Sequence, residues 1–101
     1  MVKYFIRYYP GQGWRNENIT SSEINVLRKR LIKEYLPKSP QISVYAVTKG
    51  MQKDGTYRKP LGMLWRAEGQ IYWRSENGSK VYRVSEKTGA LLDYDKYWRY
   101  I

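Results

Sequence analysis

The sequence predicts an α+β fold, in which one antiparallel sheet of about five to six strands carries a single amphipathic helix on one face, in the order β-α-β-β-β-β-β. Two turn signals, Glu68-Gly69 and Asn77-Gly78, divide residues 61–84 into a three-stranded meander, because such dipeptides supply the positive φ angles of two-residue hairpin turns. Residues 20–36 have the 3.6-residue apolar period of a helix. The length of 101 residues favours a single domain over residues 1–101.

The first strand is predicted at residues 2–9. Both of its sides carry apolar groups, which favours a strand inside the sheet and not at an edge. Residues 10–18 contain two glycines and are predicted to form a loop. Trp14 and Arg15 of this loop could stack on a nucleobase or could cover an edge of the core.

The helix is predicted at residues 20–36, where Thr20 and Glu23 have the spacing of a capping box and Pro37 ends the helix. The Arg28-Lys29-Arg30 cluster is predicted to be a solvated outer face, with a basic recognition helix as the alternative. One apolar stripe is expected to face the sheet, and it consists of Ile24, Leu27, Leu31 and Tyr35.

Residues 41–48 are predicted to form the next strand, and residues 49–60 follow with a turn at Asp54-Gly55. This second segment is predicted to be either a projecting β-arm with a basic tip or a mobile surface loop. Its basic residues are Lys49, Lys53, Arg58 and Lys59.

In the meander, the two turns determine the register and therefore the two faces of the sheet. Trp65 is expected opposite Tyr72, and Tyr72 opposite Arg83. The face predicted to meet the helix consists of Leu64, Ile71, Trp73, Tyr82 and Val84. The opposite face is predicted to be uncovered and consists of Met63, Trp65, Tyr72, Arg74, Val81 and Arg83.

A last hairpin is predicted around Lys87-Thr88-Gly89, which would place Leu92 across from Val84 and Asp93 across from Arg83. The aromatic-rich tail, residues 94–101, is expected to dock on the rest of the domain. A free tail would instead indicate a contact between two copies of the chain.

The composition excludes several kinds of chemistry. Histidine and cysteine are both absent, so the chain has no triad built on either residue, no thiolate metal site and no disulfide. The closest carboxylates, Asp93 and Asp95, are expected to have a structural role. We therefore expect no enzyme, no catalytic residue, no cofactor and no metal site. The sequence contains no long apolar run and no evident secretory signal, so we expect a cytoplasmic protein without a membrane partner.

The charge favours a polyanionic partner. Nineteen Lys and Arg against nine Asp and Glu give a formal net charge of +10. Because the uncovered face interleaves rings with guanidinium groups, we expect a non-catalytic protein that binds DNA or RNA with little sequence preference. The residues expected to bind nucleic acid are Trp65, Arg66, Tyr72, Arg74, Arg83, Lys49, Lys53, Arg58 and Lys59.

The alternative is a protein-interaction or self-associating protein, such as a virion component or a protein that binds a host factor. Trp, Tyr and Arg also dominate protein interfaces, so the same sheet face, or the C-terminal tail, could hold a homodimer together. Salt distinguishes the two hypotheses, because phosphate contacts weaken steeply as the salt concentration rises.

Three resemblances bear on function. The segment GQIYWRSENGSKVYRV resembles a WW domain but lacks the second tryptophan and the closing proline, which argues against binding of proline-rich peptides. The meander is also similar to the sheets that arm-type integrase and plant-type transcription-factor domains place in a DNA major groove. In size and in its Tyr, Trp and Lys content, starting with MVKYFIRYY, the chain resembles uncharacterised small basic proteins of filamentous and rod-shaped viruses of hot-spring archaea. That likeness implies an intracellular, heat-stable viral protein of unassigned role.

Overall fold

The computed structural model of the chain describes residues 1–49, 56–76 and 80–94, and for residues 49, 56, 93 and 94 it describes the backbone only. The elements are β1 (Val2–Tyr8), β2 (Arg15–Ser21), α1 (Ile24–Glu34), a short 3-10 turn (Leu36–Lys38), β3 (Gln41–Lys49), β4 (Thr56–Ala67), β5 (Gln70–Ser75), β6 (Val81–Val84) and β7 (Leu91–Tyr94).

All strands belong to one antiparallel sheet with the order β2-β1-β3-β4-β5-β6-β7. The predicted α+β class with one sheet and one packed helix is confirmed, and so is the position of β1 inside the sheet. Among the residues that the structure describes, however, the sheet has 7 strands and not five or six. The additional strand is β2, which precedes the helix in the chain.

The prediction of a loop at residues 10–18 is wrong for its second half, because β2 begins at Arg15. The sequence of β2, RNENITS, is polar, and only Ile19 and Ser21 are buried. An edge strand pairs on one side only and tolerates solvent on both faces, so its apolar alternation is weak. This is why the pattern resembled a loop.

The helix begins at Ile24, later than predicted, because Thr20 belongs to β2 and pairs with Lys3. The predicted capping box is wrong: the N-cap residue is Glu23, and no side chain caps the helix. Instead, the Ser21 hydroxyl donates a hydrogen bond to the Glu23 carbonyl oxygen at 3.1 Å. This bond holds the bend between β2 and α1.

The helix covers one face of the sheet, which we call the helix side. The predicted apolar stripe is confirmed, since Leu27, Leu31 and Tyr35 are buried and Ile24 packs at the margin. From the sheet, the same core contains Tyr4, Ile6, Tyr8, Ile19, Ile42, Val44, Leu64, Ile71, Trp73 and Val84. The helix therefore meets the face of the meander that the register predicts, and burying these side chains supplies most of the stabilisation.

The predicted register of the meander is confirmed. Trp65 pairs with Tyr72 and Tyr72 with Arg83. The first turn has Glu68 at φ 53° and Gly69 at φ 77°, the left-handed pair that a two-residue hairpin needs. The second turn, Asn77-Gly78, lies outside the described residues.

The last hairpin differs from the prediction by one residue, because Val84 pairs with Leu91 and not with Leu92. The Ser85 amide donates to the Ala90 carbonyl oxygen at 2.9 Å, so four residues and not three form the loop between them. A register shift between Tyr82 and Val84 follows, so Asp93 is not paired with Arg83 as predicted. The tail beyond residue 94 lies outside the described residues.

The long β3–β4 hairpin supports the predicted β-arm, since pairing continues to Lys49 and Thr56. The alternative of a mobile loop is wrong for residues 56–60, which are strand. The predicted turn at Asp54-Gly55 lies outside the described residues. Within the described part of the chain, no helix has the length and apolar character needed to cross a membrane.

Candidate nucleic-acid interface

The face of the sheet opposite α1 is called the outer face. Alternation along each strand, combined with the pairing register, decides which side chains share it. From β2 across the sheet to β6, its residues are Asn16, Asn18 and Thr20 of β2, Lys3, Phe5 and Arg7 of β1, Gln41, Ser43, Tyr45 and Val47 of β3, Arg58, Pro60, Met63, Trp65 and Ala67 of β4, Gln70, Tyr72 and Arg74 of β5, and Val81 and Arg83 of β6.

Positive charge predominates among the described strand residues of this face. Its described strand residues include no Asp or Glu, whereas the cations are Lys3, Arg7, Arg58, Arg74 and Arg83. The ion pairs found among the described residues, Arg30–Glu34 and Arg66–Glu86, lie elsewhere. The helix side therefore carries charges of both signs, whereas the described strand residues of the outer face carry only positive charge.

An exposed aromatic cluster lies at one end of the outer face. The Trp14 side chain is 49% exposed, and the Arg7 guanidinium lies 4.9 Å from the centre of its ring. Tyr9 contacts Trp14 edge-on, with ring centres 5.4 Å apart. The hypothesis that Trp14 covers an edge of the core is wrong, because the ring is half exposed. An exposed indole beside a guanidinium is a surface on which a base can stack.

A second cluster occupies the centre of β1 and β3. The Arg58 guanidinium lies 4.1 Å from the centre of the Phe5 ring, and Tyr45 meets Phe5 edge-on at 5.7 Å. Arg58 is exposed while Phe5 is half-buried, so the ring orients the guanidinium and its N–H groups remain open to a ligand.

A recess opens beside this cluster, with a volume of about 450 Å³. Its lining includes the side chains of Lys3, Asn18, Thr20, Val47 and Arg58. Tyr4 and Ile19 also line the recess, although alternation directs their side chains toward the helix side. The recess thus lies on the outer face, between the edge strand and the beginning of the β-arm.

Trp65, Tyr72, Arg74 and Arg83 lie on the outer face, as the register predicts, and Arg58 of the β-arm lies on the same face. The expectation that this face of the meander is uncovered is wrong at Tyr72 and Val81, which are only 6% and 2% exposed, so Tyr72 offers no open stacking surface. Trp65 is half-buried and stacks on Tyr72, with ring centres 5.8 Å apart and 27° between the planes. One face of each ring is therefore occupied by the other ring.

Arg66 lies on the helix side of the sheet, as the register predicts, and Lys59 lies there too, so neither shares the outer face with Trp65. That they bind nucleic acid stays a prediction. Each is adjacent to an outer-face residue in β4, and alternation turns it to the helix side. Arg66 also forms an ion pair with Glu86 at 3.1 Å. The side chain of Lys49 and the whole of Lys53 are outside the described residues.

Arg28 corrects the prediction of a solvated basic cluster on the helix. Its side chain is 4% exposed, and its Nε donates to the Gly89 carbonyl oxygen at 2.7 Å. An Nη donates to the Asn25 side-chain oxygen, and the guanidinium lies 4.9 Å from the Trp73 ring centre. Burial lowers the pKa of Arg28 to about 10. Lys29 and Arg30 are exposed as predicted, but Arg28 joins the helix to the last hairpin.

A tyrosine pair surrounds the Glu17 carboxylate on the helix side. The Tyr8 hydroxyl donates to it at 2.9 Å and the Tyr35 hydroxyl at 3.1 Å. Burial, reinforced by the hydrogen bond to Glu17, raises the pKa of Tyr35 to about 12. The carboxylate is therefore occupied in joining β2 to the end of α1.

Sequence reasoning did not include Lys3, Phe5, Arg7 and Tyr45 in the candidate site, nor the recess residues Asn18, Thr20 and Val47. For the three in β1 a signal existed, since the predicted strand at residues 2–9 already alternates Lys3, Phe5 and Arg7 on one side. No local pattern shows that these residues share a face with the meander. That follows from the position of β3 between β1 and β4, which pairs Phe5 with Tyr45.

No group of His, Cys, Asp and Glu within the described ranges could hold a metal ion. Comparison of the chain with family models, with curated proteins and with solved structures gave no match. Any function must therefore be argued from this surface alone.

Proposed function

We propose that the protein is a non-catalytic nucleic-acid-binding protein, which holds a DNA or RNA strand on the outer face with little sequence preference. The observation that carries the proposal is the positive charge of this face. Its described strand residues include Lys3, Arg7, Arg58 and Arg83 and no Asp or Glu, on a chain whose net charge is +10.

The lack of acidic strand residues matters because a nearby carboxylate would cancel much of the attraction between a cation and a phosphate. A cation next to a carboxylate has little free energy to gain from a phosphate, since it would exchange one anionic partner for another. Arg66 illustrates this situation through its ion pair with Glu86. Lys3, Arg7 and Arg58 form no ion pair among the described residues, so a phosphate backbone would add to their interactions.

The exposed Trp14 ring supplies the second part of the interaction. Aromatic side chains stack on bases without regard to sequence, and unpaired bases are the ones that present their faces. The Trp14 cluster and the arginines of β1 and β4 would therefore favour single-stranded segments. Trp65, which is half-buried on Tyr72, is better suited to supporting the sheet than to stacking on a ligand.

Two adjacent residues of β4 test which face binds. Arg58→Gln and Lys59→Gln remove the same charge from neighbouring positions, but only Arg58 lies on the outer face. Binding of a fluorescent single-stranded oligonucleotide is measured by anisotropy across a salt series. Arg58→Gln is expected to weaken binding and to lower the slope of log K against log salt by about 1, the loss of one phosphate contact.

Lys59→Gln is the matched control and should retain the slope and nearly the same affinity. Equal losses from both substitutions would mean that total charge, and not the outer face, determines binding. Absence of binding at low salt would overturn the proposal. Sedimentation of the same samples tests the rival function: a dimer that persists at high salt, with no affinity for oligonucleotides, would favour a protein-interaction surface.

A further inference from the structure

The outer face contains a recess lined by Lys3, Asn18, Thr20, Val47 and Arg58. Its volume of about 450 Å³ falls within the size range of small-ligand sites. A flat phosphate-binding surface needs no cavity, because exposed cations suffice. The recess therefore has room for more than a backbone contact.

Its chemistry is that of an anion site with a neutral polar rim. Lys3 and Arg58 supply cationic N–H donors, and Asn18 and Thr20 add an amide and a hydroxyl from the edge strand. None of the described residues that line it is acidic. A guanidinium offers two parallel donors to phosphate oxygens, and the Phe5 ring at 4.1 Å keeps that of Arg58 oriented.

The apolar part of the recess lies beside these donors. Val47 pairs with Arg58 across β3 and β4, so the two side chains lie side by side on the outer face, and both residues line the recess. A ligand that places an anionic group near Lys3 and Arg58 would thus bring its neighbouring atoms against a methyl surface. A phosphate attached to a sugar and base has this combination of charge and apolar ring surface.

We infer that the recess is a subsite that holds one phosphate group together with its nucleoside. The inference rests on the proposed function, since the phosphate is taken to belong to a bound DNA or RNA strand. A free mononucleotide carries the same chemistry, and the experiment below separates the two sources.

The recess can be filled without a change of charge. Thr20 is exposed on the edge strand and lines the recess, so Thr20→Tyr places a ring in it at a position where tyrosine suits a strand. Asn16→Tyr is the matched control, because Asn16 is exposed on the same face of the same strand but does not line the recess. Circular dichroism melting shows whether both variants are folded.

The readout is an amide chemical-shift titration with AMP, with adenosine and with inorganic phosphate, beside anisotropy with a single-stranded oligonucleotide. AMP is expected to shift the amides of residues 3, 18–20, 47 and 58, and adenosine is expected to shift none of them. Thr20→Tyr should abolish the AMP shifts and weaken oligonucleotide binding at least about threefold, with a salt slope lower by about 1. Asn16→Tyr should retain both.

The alternative outcomes of these experiments separate the subsite from the proposed function. If the oligonucleotide binds but Thr20→Tyr binds it as well as the unaltered protein does, the subsite is overturned and the proposed function stands. If AMP shifts the recess amides while no oligonucleotide binds, the phosphate site stands with a free nucleotide as its source, and the proposed function falls. If adenosine and AMP act equally, the recess does not select phosphate and the inference is overturned.

Discussion

The two faces of the sheet each carry an arginine stacked on an aromatic ring. On the helix side, Arg28 lies 4.9 Å from the Trp73 ring centre, and on the outer face Arg58 lies 4.1 Å from that of Phe5. Arg28 is 4% exposed and donates to the Gly89 carbonyl oxygen, whereas Arg58 is exposed and lines an open recess. The same contact is therefore internal to the fold in one case and accessible to a ligand in the other.

The difference shows that burial and acceptors, not residue type, separate structural cations from candidate binding cations. A buried guanidinium must have its donors satisfied, and α1 with the last hairpin provides the acceptors. An exposed guanidinium without a carboxylate can exchange water for phosphate at little cost. Substitutions on the helix side should change the free energy of unfolding, and substitutions on the outer face should change affinity.

The largest expected effect is at Gly89, whose carbonyl anchors Arg28. A Cβ there would lie 1.9 Å from the Asn25 carbonyl oxygen and 2.6 Å from the Lys29 amide nitrogen, and its φ is +75°. Gly89→Ala should cost about 3–5 kcal/mol of unfolding free energy, since backbone strain and overpacking add. Urea denaturation measures it.

Gly69→Ala is the control for that experiment, because Gly69 has φ +77° but no atom within 4 Å of an added Cβ. It should cost only about 1–2 kcal/mol, the left-handed strain alone. If both substitutions lower the free energy of unfolding equally, the last hairpin does not pack tightly enough against α1 to exclude a methyl group at residue 89.

Arg28→Met should cost about 2–3 kcal/mol of stability, because it leaves the buried Gly89 carbonyl without its donor while keeping an apolar side chain over Trp73. Lys29→Met, the exposed neighbour, should change stability by less than about 0.5 kcal/mol. The folded Arg28→Met protein should bind oligonucleotides as the unaltered protein does. A large loss of affinity in Arg28→Met would place Arg28 in the binding site and would contradict the distinction between a structural Arg28 and a ligand-accessible Arg58.

Trp14→Ala, on the outer face, is expected to lower affinity and not stability, the reverse of Arg28→Met. Since its ring is 49% exposed, stability should change little, whereas single-strand affinity should fall by about 1–3 kcal/mol if the ring stacks on a base. Trp65→Ala is the contrast, and it should mainly lower the melting temperature because Trp65 is half-buried on Tyr72. If single-strand affinity depends on Trp65 but not on Trp14, the bases stack on the meander and not on the Trp14 ring.

The smallest effect is a pH dependence on the helix side. The folded pKa of Tyr35 is raised from 10.0 to about 12, so the unfolded chain loses this proton first. The stability from Tyr35 is complete below pH 10 and is lost as the pH rises through about 12. Tyr35→Phe should therefore show a smaller fall in melting temperature between about pH 9 and 11 than the unaltered chain.

Arg28 acts with the opposite sign, because its folded pKa of about 10 lies below its usual 12.5 and stability from this group rises across that interval. Both proteins in the Tyr35 comparison contain Arg28, so its contribution cancels. A fall in melting temperature that is identical in both would show that Tyr35 ionises freely in the folded chain.

Local patterns account for the parts of the fold that were predicted. The dipeptide Glu68-Gly69 set the first turn, and through it the pairing of Trp65 with Tyr72. The helical period set the stripe of Leu27, Leu31 and Tyr35. β2 escaped prediction because an edge strand needs little apolar alternation, and the last hairpin was misplaced because its loop has one more residue than the Gly89 signal indicated.

The candidate site was predictable only in part, for the same reason. Alternation within β4 correctly assigned Trp65 to the outer face, yet no local pattern indicated that Tyr72 would be buried or that Arg28 would be enclosed by the last hairpin. Phe5 and Arg58 are far apart in the chain, and the recess exists because β1 and β4 both pair with β3.

By itself, the sequence determined the charge, the absence of histidine and cysteine chemistry, the helix stripe and the faces of the meander, since each depends on residue type or on spacing within one or two elements. The tertiary structure alone decided which cations are enclosed and which remain open, and where the recess forms. Whether a side chain is exposed depends on the element that packs against it, and strand order and helix placement determine which element that is.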